Sequence, residues 1–134
     1  MLTHVAMASG GLVVLLDVDN TLLDNDRFKA DLQARLLRDF GTPGSDSYWA
    51  HYDALRKELG YVDYLGALQR LRADVGTPPE LLAMARWVLD YPFADRLYPG
   101  ALAALAHLGT VAEPGMFSAG DSACPPRNLQ AAGV

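Results

Sequence analysis

An uninterrupted aliphatic run, Leu12-Val13-Val14-Leu15-Leu16, passes without a spacer into two carboxylates two residues apart, Asp17 and Asp19. Apolar side chains at every position, rather than at every second one, mark a parallel strand covered on both faces, and Gly10-Gly11 supply a break in front of it. Such strands belong to α/β folds, whose ligands bind in the crevice beyond the strands' carboxyl ends. The two-residue period of an extended chain sends Asp17 and Asp19 to the same side of that crevice. Like charges held so near oppose each other's ionisation unless a cation lies between them.

Asp17, Asp19, Asn20 and Thr21 are also residues that build polar turns and cap helices. The apolar run before them and Leu22-Leu23 behind them make the pattern narrower than an ordinary turn. A calcium loop is excluded, because Leu22 stands where that loop needs glycine and Phe28 where it needs glutamate.

Helical periodicity governs the chain that follows. Phe28, Leu32, Leu36, Leu37 and Phe40 predict one helix, broken by Gly41-Thr42-Pro43-Gly44. Tyr48, Trp49, Tyr52, Leu55 and Leu59 predict a second, ended by Gly60, and Val62, Leu65, Leu68, Leu71 and Val75 a third, stopped by Gly76. Thr77-Pro78-Pro79-Glu80 reads as a helix start, with Thr77 capping, Pro78 in the first helical position and Glu80 completing a capping box; this helix runs to about Asp90. A helix over 99–108 and a weaker strand over 110–118 come next, and Pro114 makes that strand begin late, near Met116, or bulge at its start. Residues 125–132 are a further helix candidate, and residues 1–10 read as a frayed lead without a role.

A helical block set directly after the first strand of an α/β unit predicts a cap. Its expected extent is 25–94, on a core made of 1–24 and 95–134, with hinges near 24–27 and 93–97. At 134 residues, half of them apolar, the chain is long enough for a cored unit. Its formal charge of -5, with Lys and Arg scattered singly, offers no basic stripe, so nucleic acid is not an expected partner. Cys124 is the only cysteine, which rules out an intrachain disulfide framework and suits a reducing compartment. The apolar start lacks a basic n-region and stops at Asp17, too short to span a bilayer, so a soluble cytoplasmic protein with no membrane partner is expected.

Leu15-Leu16-Asp17-Val18-Asp19-Asn20-Thr21-Leu22 resembles the first motif of the haloacid dehalogenase superfamily, Asp-x-Asp-x-Thr. The helical insert behind it, Leu97-Tyr98-Pro99-Gly100 leading into a helix, and Phe117-Ser118 ending a second strand agree with that resemblance. It implies an α/β fold, a partial Rossmann-like core with an inserted α-helical cap, and a magnesium-dependent phosphatase of small phosphorylated metabolites. Residue by residue, it implies that Asp17 attacks phosphorus to form an aspartyl-phosphate and that Asp19 protonates the leaving oxygen, then activates water. Mg2+ would be held by Asp17, the Val18 backbone carbonyl and Asp19. Thr21 would brace the loop, and Ser118 with the backbone at Ala119 would complete the phosphate site. Asp19 favours the phosphatase branch over the dehalogenases, which carry no second aspartate there because a departing halide needs no proton.

Two further motifs of this family, a lysine or arginine that holds the phosphoryl oxygens and an acidic pair that completes the metal shell, normally follow the second motif. After Ser118 the sequence has one basic residue, Arg127, and one acid, Asp121, neither of which matches. A chain cut short before those motifs is therefore expected, with residues 13–16 exposed along one strand edge and prone to self-association. The alternative is a noncatalytic module that binds magnesium and phosphate, or an inactive fragment. Among other polar residues, His107 reads as serving a helix end, His51 as part of an aromatic helix face, and Arg56 and Lys57 as a solvated face.

Overall fold

The computed structural model describes residues 4–8, 11–17 and 20–117. Three strands form one sheet in the order β1-β2-β3: β1 (His4–Ala8), β2 (Gly11–Asp17) and β3 (Glu113–Phe117). β1 pairs antiparallel with β2, Ala8 opposite Gly11 and His4 opposite Leu15, while β3 pairs parallel with β2 on its other side. Residues 4–8 of the lead segment are thus a strand, where a frayed tail was expected. They pair with 11–15, so Val13, Val14 and Leu15, expected along an open edge, have a strand partner there.

β3 starts at Glu113 and not near Met116, with Pro114 in register with Val14. Proline lacks the N–H of a ladder donor, and β3 tolerates it because, among the described residues, it pairs on one side only. Burial along β2 also departs from the pattern of a strand covered on both faces: Val14 is buried, whereas Leu12 is 38% exposed.

Between β2 and the last helix stands the helical block: α1 (Asn25–Leu59), α2 (Tyr64–Val75) and α3 (Pro79–Leu89), followed by a short 3-10 turn, Phe93–Arg96. α1 is kinked where the sequence breaks, at Gly41, whose left-handed φ of 67° and ψ of -176° leave the helical path ahead of Pro43. Gly60 closes α1 in the left-handed conformation, donating its N–H to the Arg56 carbonyl. Asp63 caps α2 by accepting the Gly66 N–H at 2.6 Å. The start of α3 is a correction: the helix begins at Pro79, its N-cap is Pro78, and no side chain caps it, so the Thr77 capping box does not form.

The apolar faces meet as their spacing predicts. Phe28, Leu32, Leu36, Tyr48, Tyr52 and Leu55 of α1 bury against Ala67, Leu68 and Leu71 of α2 and Met84 and Val88 of α3, whereas Leu37 and Leu59 stay exposed. Phe28 sits at the centre, edge-on to Tyr64 at 4.9 Å and to Tyr91 at 4.8 Å, stacked with Trp87 at 6.0 Å and tilted against Phe93 at 5.3 Å. The chain then enters α4 (Ala101–Leu108), which comes between the cap and β3. The result is an α/β core carrying an inserted helical cap.

Two linkers join block and sheet, and they pair with each other. Leu23 bridges Leu97 antiparallel, the Asp24 N–H donates to the Arg96 carbonyl at 2.7 Å, and the Tyr98 N–H donates to the Leu22 carbonyl at 2.9 Å. This short ribbon overlaps the expected hinge segments at Asp24, Arg96 and Leu97.

Candidate active site

β2 delivers Asp17 to the carboxyl end of the sheet. Parallel pairing with β3 puts Asp17 in register with Phe117, the last residue of that strand. Val18, Asp19, Ser118 and Ala119 themselves lie outside the described residues, as do Cys124 and the helix candidate 125–132.

Asp17 is half-buried, and the Thr21 hydroxyl donates to its Oδ2 at 3.2 Å. Thr21 thus braces the carboxylate as the motif implies, which fixes one oxygen. No other side-chain hydrogen bond to Asp17 is found among the described residues. No cluster of three or more metal-ligating side chains forms among the described residues. The donor set the sequence offers here, carboxylate and carbonyl oxygen, suits a hard cation such as magnesium.

The turn after the strand depends on Asn20, which adopts a left-handed φ of 56° and donates its N–H to the Leu23 carbonyl at 2.8 Å. Its Oδ1 accepts the N–H groups of Asn25 and Asp26 at 3.0 and 3.2 Å, and its Nδ2 donates to Asp26 Oδ1 at 3.2 Å. Asp24 accepts the next amide, from Arg27, at 3.0 Å. The orphan donors of the first turn of α1 are therefore met by side chains of the loop itself. The sequence marks Asn20 only as a turn former; its tolerance of left-handed φ was the available signal.

Two cavities flank the loop. One, of about 270 Å³, is lined mainly by apolar groups, including Leu16, Thr21, Leu22, Tyr98, Leu105 and Leu108. The other, of about 290 Å³, lies along the linkers and is polar, with Asp24, Arg27, Asp95, Arg96 and Tyr98 in its wall. Tyr98 borders both, and desolvation followed by the charges of Asp24 and Asp26 raises its hydroxyl above the usual tyrosine value.

Behind the second cavity a network ties the return linker to α1. The Tyr91 hydroxyl donates to Asp31 Oδ2 at 2.6 Å, Arg96 Nε donates to the Tyr91 oxygen at 2.7 Å, and Arg96 Nη2 reaches Asp31 Oδ2 at 3.2 Å. The Tyr91 hydrogen bond is the main reason the Asp31 carboxyl sits below its ordinary range, helped by Arg27 and Arg96 and opposed by burial. The sequence gives no sign of this network, because Asp31 lies sixty residues or more from Tyr91 and Arg96.

The remaining histidines lie elsewhere. His51 Nε2 stands 2.7 Å from Asp74 Oδ2 on α2, a carboxylate that also accepts from Ser47. It is a link between two cap helices, whereas its expected place was in aromatic packing. His107 lies in the last turn of α4, as expected, and Arg56 and Lys57 are exposed in the last turn of α1.

No protein-family profile matches the chain, and no curated protein matches it. Solved structures do. A haloacid dehalogenase-like hydrolase of Burkholderia xenovorans LB400 superimposes with a TM-score of 0.81 at 50% identity, over 90% of this chain and 56% of that one. The L-2-haloacid dehalogenase of Xanthobacter autotrophicus matches with a TM-score of 0.51 at 21% identity, over 90% of this chain and 51% of that one, a likeness of fold alone. The chain thus spans little more than half the length of the structures it matches. With half of the aligned residues identical to those of the Burkholderia hydrolase, and with the Asp17–Thr21 brace at the end of a parallel strand, the chain belongs to the haloacid dehalogenase superfamily.

Proposed function

We propose that this hydrolase is a magnesium-dependent phosphatase of small phosphorylated metabolites, working in the cytoplasm. The observation that carries the reading is the Asp17 carboxylate at the end of β2, held on one oxygen by the Thr21 hydroxyl. In this reading the other oxygen of Asp17 attacks phosphorus, the P–O bond to the substrate breaks, and Asp19 gives its proton to the departing alkoxide. Asp19, now a base, takes a proton from water as that water attacks the aspartyl-phosphate, and Asp17 is regenerated as phosphate leaves. Asp17, the Val18 carbonyl and Asp19 would hold the magnesium ion, which when bound offsets the negative charge shared by carboxylate and phosphate. Ser118 and the backbone N–H groups at Ala119 and Thr21 would hold the phosphoryl oxygens, the Thr21 hydroxyl being engaged with Asp17. Residues 25–94 form the cap and 1–24 with 95–134 the core in this scheme, so cap side chains select the substrate.

The presence of Asp19 favours phosphate over halide as the leaving chemistry, since an alkoxide needs a proton and a halide does not. Hydrolysis of p-nitrophenyl phosphate with and without magnesium tests the reading. Wild type is expected to turn over only with the metal, and Asp17→Asn to lose about a thousandfold or more of kcat. Equal rates in the two proteins overturn the nucleophile assignment. Chloride release from 2-chloropropionate with no phosphatase activity transfers the protein to the dehalogenase branch, and magnesium and phosphate binding without turnover makes it a noncatalytic module.

A further inference from the structure

Asn20 belongs, by sequence, to the carboxylate loop, yet every side-chain hydrogen bond it makes among the described residues is to the first turn of the cap. Its Oδ1 accepts from the amides of Asn25 and Asp26, and its Nδ2 donates to the Asp26 carboxylate. Between Asn20 and those partners the chain runs through Leu22, Leu23 and Asp24, the outgoing half of the linker ribbon that pairs with Arg96–Tyr98. The contact therefore closes a loop across the outgoing linker. On one side of it Thr21, the next residue, holds Asp17. On the other Asn25 continues inward, its Nδ2 reaching the Tyr64 hydroxyl of α2 at 3.4 Å.

We propose that Asn20 is a positioning residue that staples the nucleophile loop to the first turn of the cap, so that the angle of α1 and the placement of the Asp17 carboxylate are set together. The inference rests on the phosphatase reading for its catalytic consequence but not for the staple itself. Three features of one side chain make it fit the task. Its amide has both an acceptor, for two backbone N–H groups, and a donor, for a carboxylate. Its backbone sits at φ 56°, where asparagine is tolerated and most side chains are strained. Its partners are exposed enough to exchange with water, so the staple can open when the cap moves. A glycine at this position would keep the turn and lose the staple.

That separation provides the test. In Asn20→Gly the left-handed turn remains accessible, so the fold and thermal midpoint should hold while hydrogen exchange at the Asn25 and Asp26 amides, followed by NMR, becomes faster. On p-nitrophenyl phosphate its kcat should fall about tenfold with KM changed less, the pattern of a displaced reacting group. In Asn20→Asp the donor is gone and two carboxylates face each other, so kcat should fall at least as far; adding Asp26→Asn restores a donor–acceptor pair with the roles exchanged and should recover most of the loss. Unchanged exchange at Asn25 and Asp26 in Asn20→Gly overturns the proposal. So does an Asn20→Asp, Asp26→Asn protein no better than Asn20→Asp alone. If wild type hydrolyses no phosphate ester, the phosphatase reading is the one that fails, and the exchange rates alone decide for or against the staple.

Discussion

Thr21 and Tyr52 show how a hydroxyl acts differently when it has a partner and when it lacks one. The Thr21 hydroxyl is spent on Asp17, where it removes the freedom of the carboxylate to rotate away from an incoming electrophile. Thr21→Val keeps the shape and deletes the bond; kcat on p-nitrophenyl phosphate is expected to drop about tenfold, and Thr21→Ser to retain most of it. Tyr52 is 4% exposed and its hydroxyl has no hydrogen-bond partner among the described residues. A buried hydroxyl without a partner costs stability, so Tyr52→Phe should raise the unfolding free energy by about 1 kcal/mol, read from urea denaturation. The same experiment showing a loss would mean that the hydroxyl is paired in solution.

Among the elements, the cap is held by one aromatic centre more than by helix propensity. α1 contains a left-handed glycine and a proline, and α3 begins without a side-chain cap, so neither would be a strong helix in isolation. Their stability comes from the faces buried around Phe28, whose ring meets partners from α2, α3 and the turn beyond them. Phe28→Ala should therefore cost about 3–5 kcal/mol, the range for deleting a large buried aromatic side chain. Loss of far-UV helical signal at lower urea concentration would register it, and a change below about 1 kcal/mol would show that the cluster does not organise the cap.

At the scale of the whole molecule, the acidic groups that hold cap elements together set the response to pH. Asp31, hydrogen-bonded first by Tyr91, Glu58, hydrogen-bonded by Arg70, and Asp74, held by Ser47 and His51, all lie below the ordinary carboxylate range. A carboxyl depressed in the folded state binds fewer protons there than in the unfolded chain. Its stabilisation is present above the unfolded value and is lost as pH falls through the folded one. Thermal midpoints should therefore decline in the acid region, below about pH 4, and Asp31→Asn should make that decline shallower while lowering the midpoint at neutral pH. Tyr91 acts in the opposite direction: burial, followed by the hydrogen bond to Asp31, raises its hydroxyl above 10.0, so its share is kept at lower pH and lost as pH climbs through the raised value. A midpoint independent of pH between 2 and 6, by differential scanning calorimetry, would contradict this account.

The sequence by itself determined what depends on near neighbours. A five-residue aliphatic run ending in carboxylates specifies a strand and the loop at its end, and Gly41, Gly60 and Gly76 mark where helical paths stop because few other residues take a left-handed φ. The spacing of Phe28, Leu32 and Leu36 identifies the buried face of α1 in the same way. Only the tertiary structure decided what depends on distant partners. Residues 4–8 are a strand because β2 offers an edge, and Pro114 is tolerated because β3 lies outermost among the described strands. Thr77 does not cap because the backbone begins α3 two residues later. Asn20 becomes a staple because the linker ribbon brings the cap's first turn back to the loop, and Asp31, Tyr91 and Arg96 meet because the cap folds onto its own return path. Local propensity can be read from composition and spacing, whereas a hydrogen bond across the fold exists only once the chain has closed on itself.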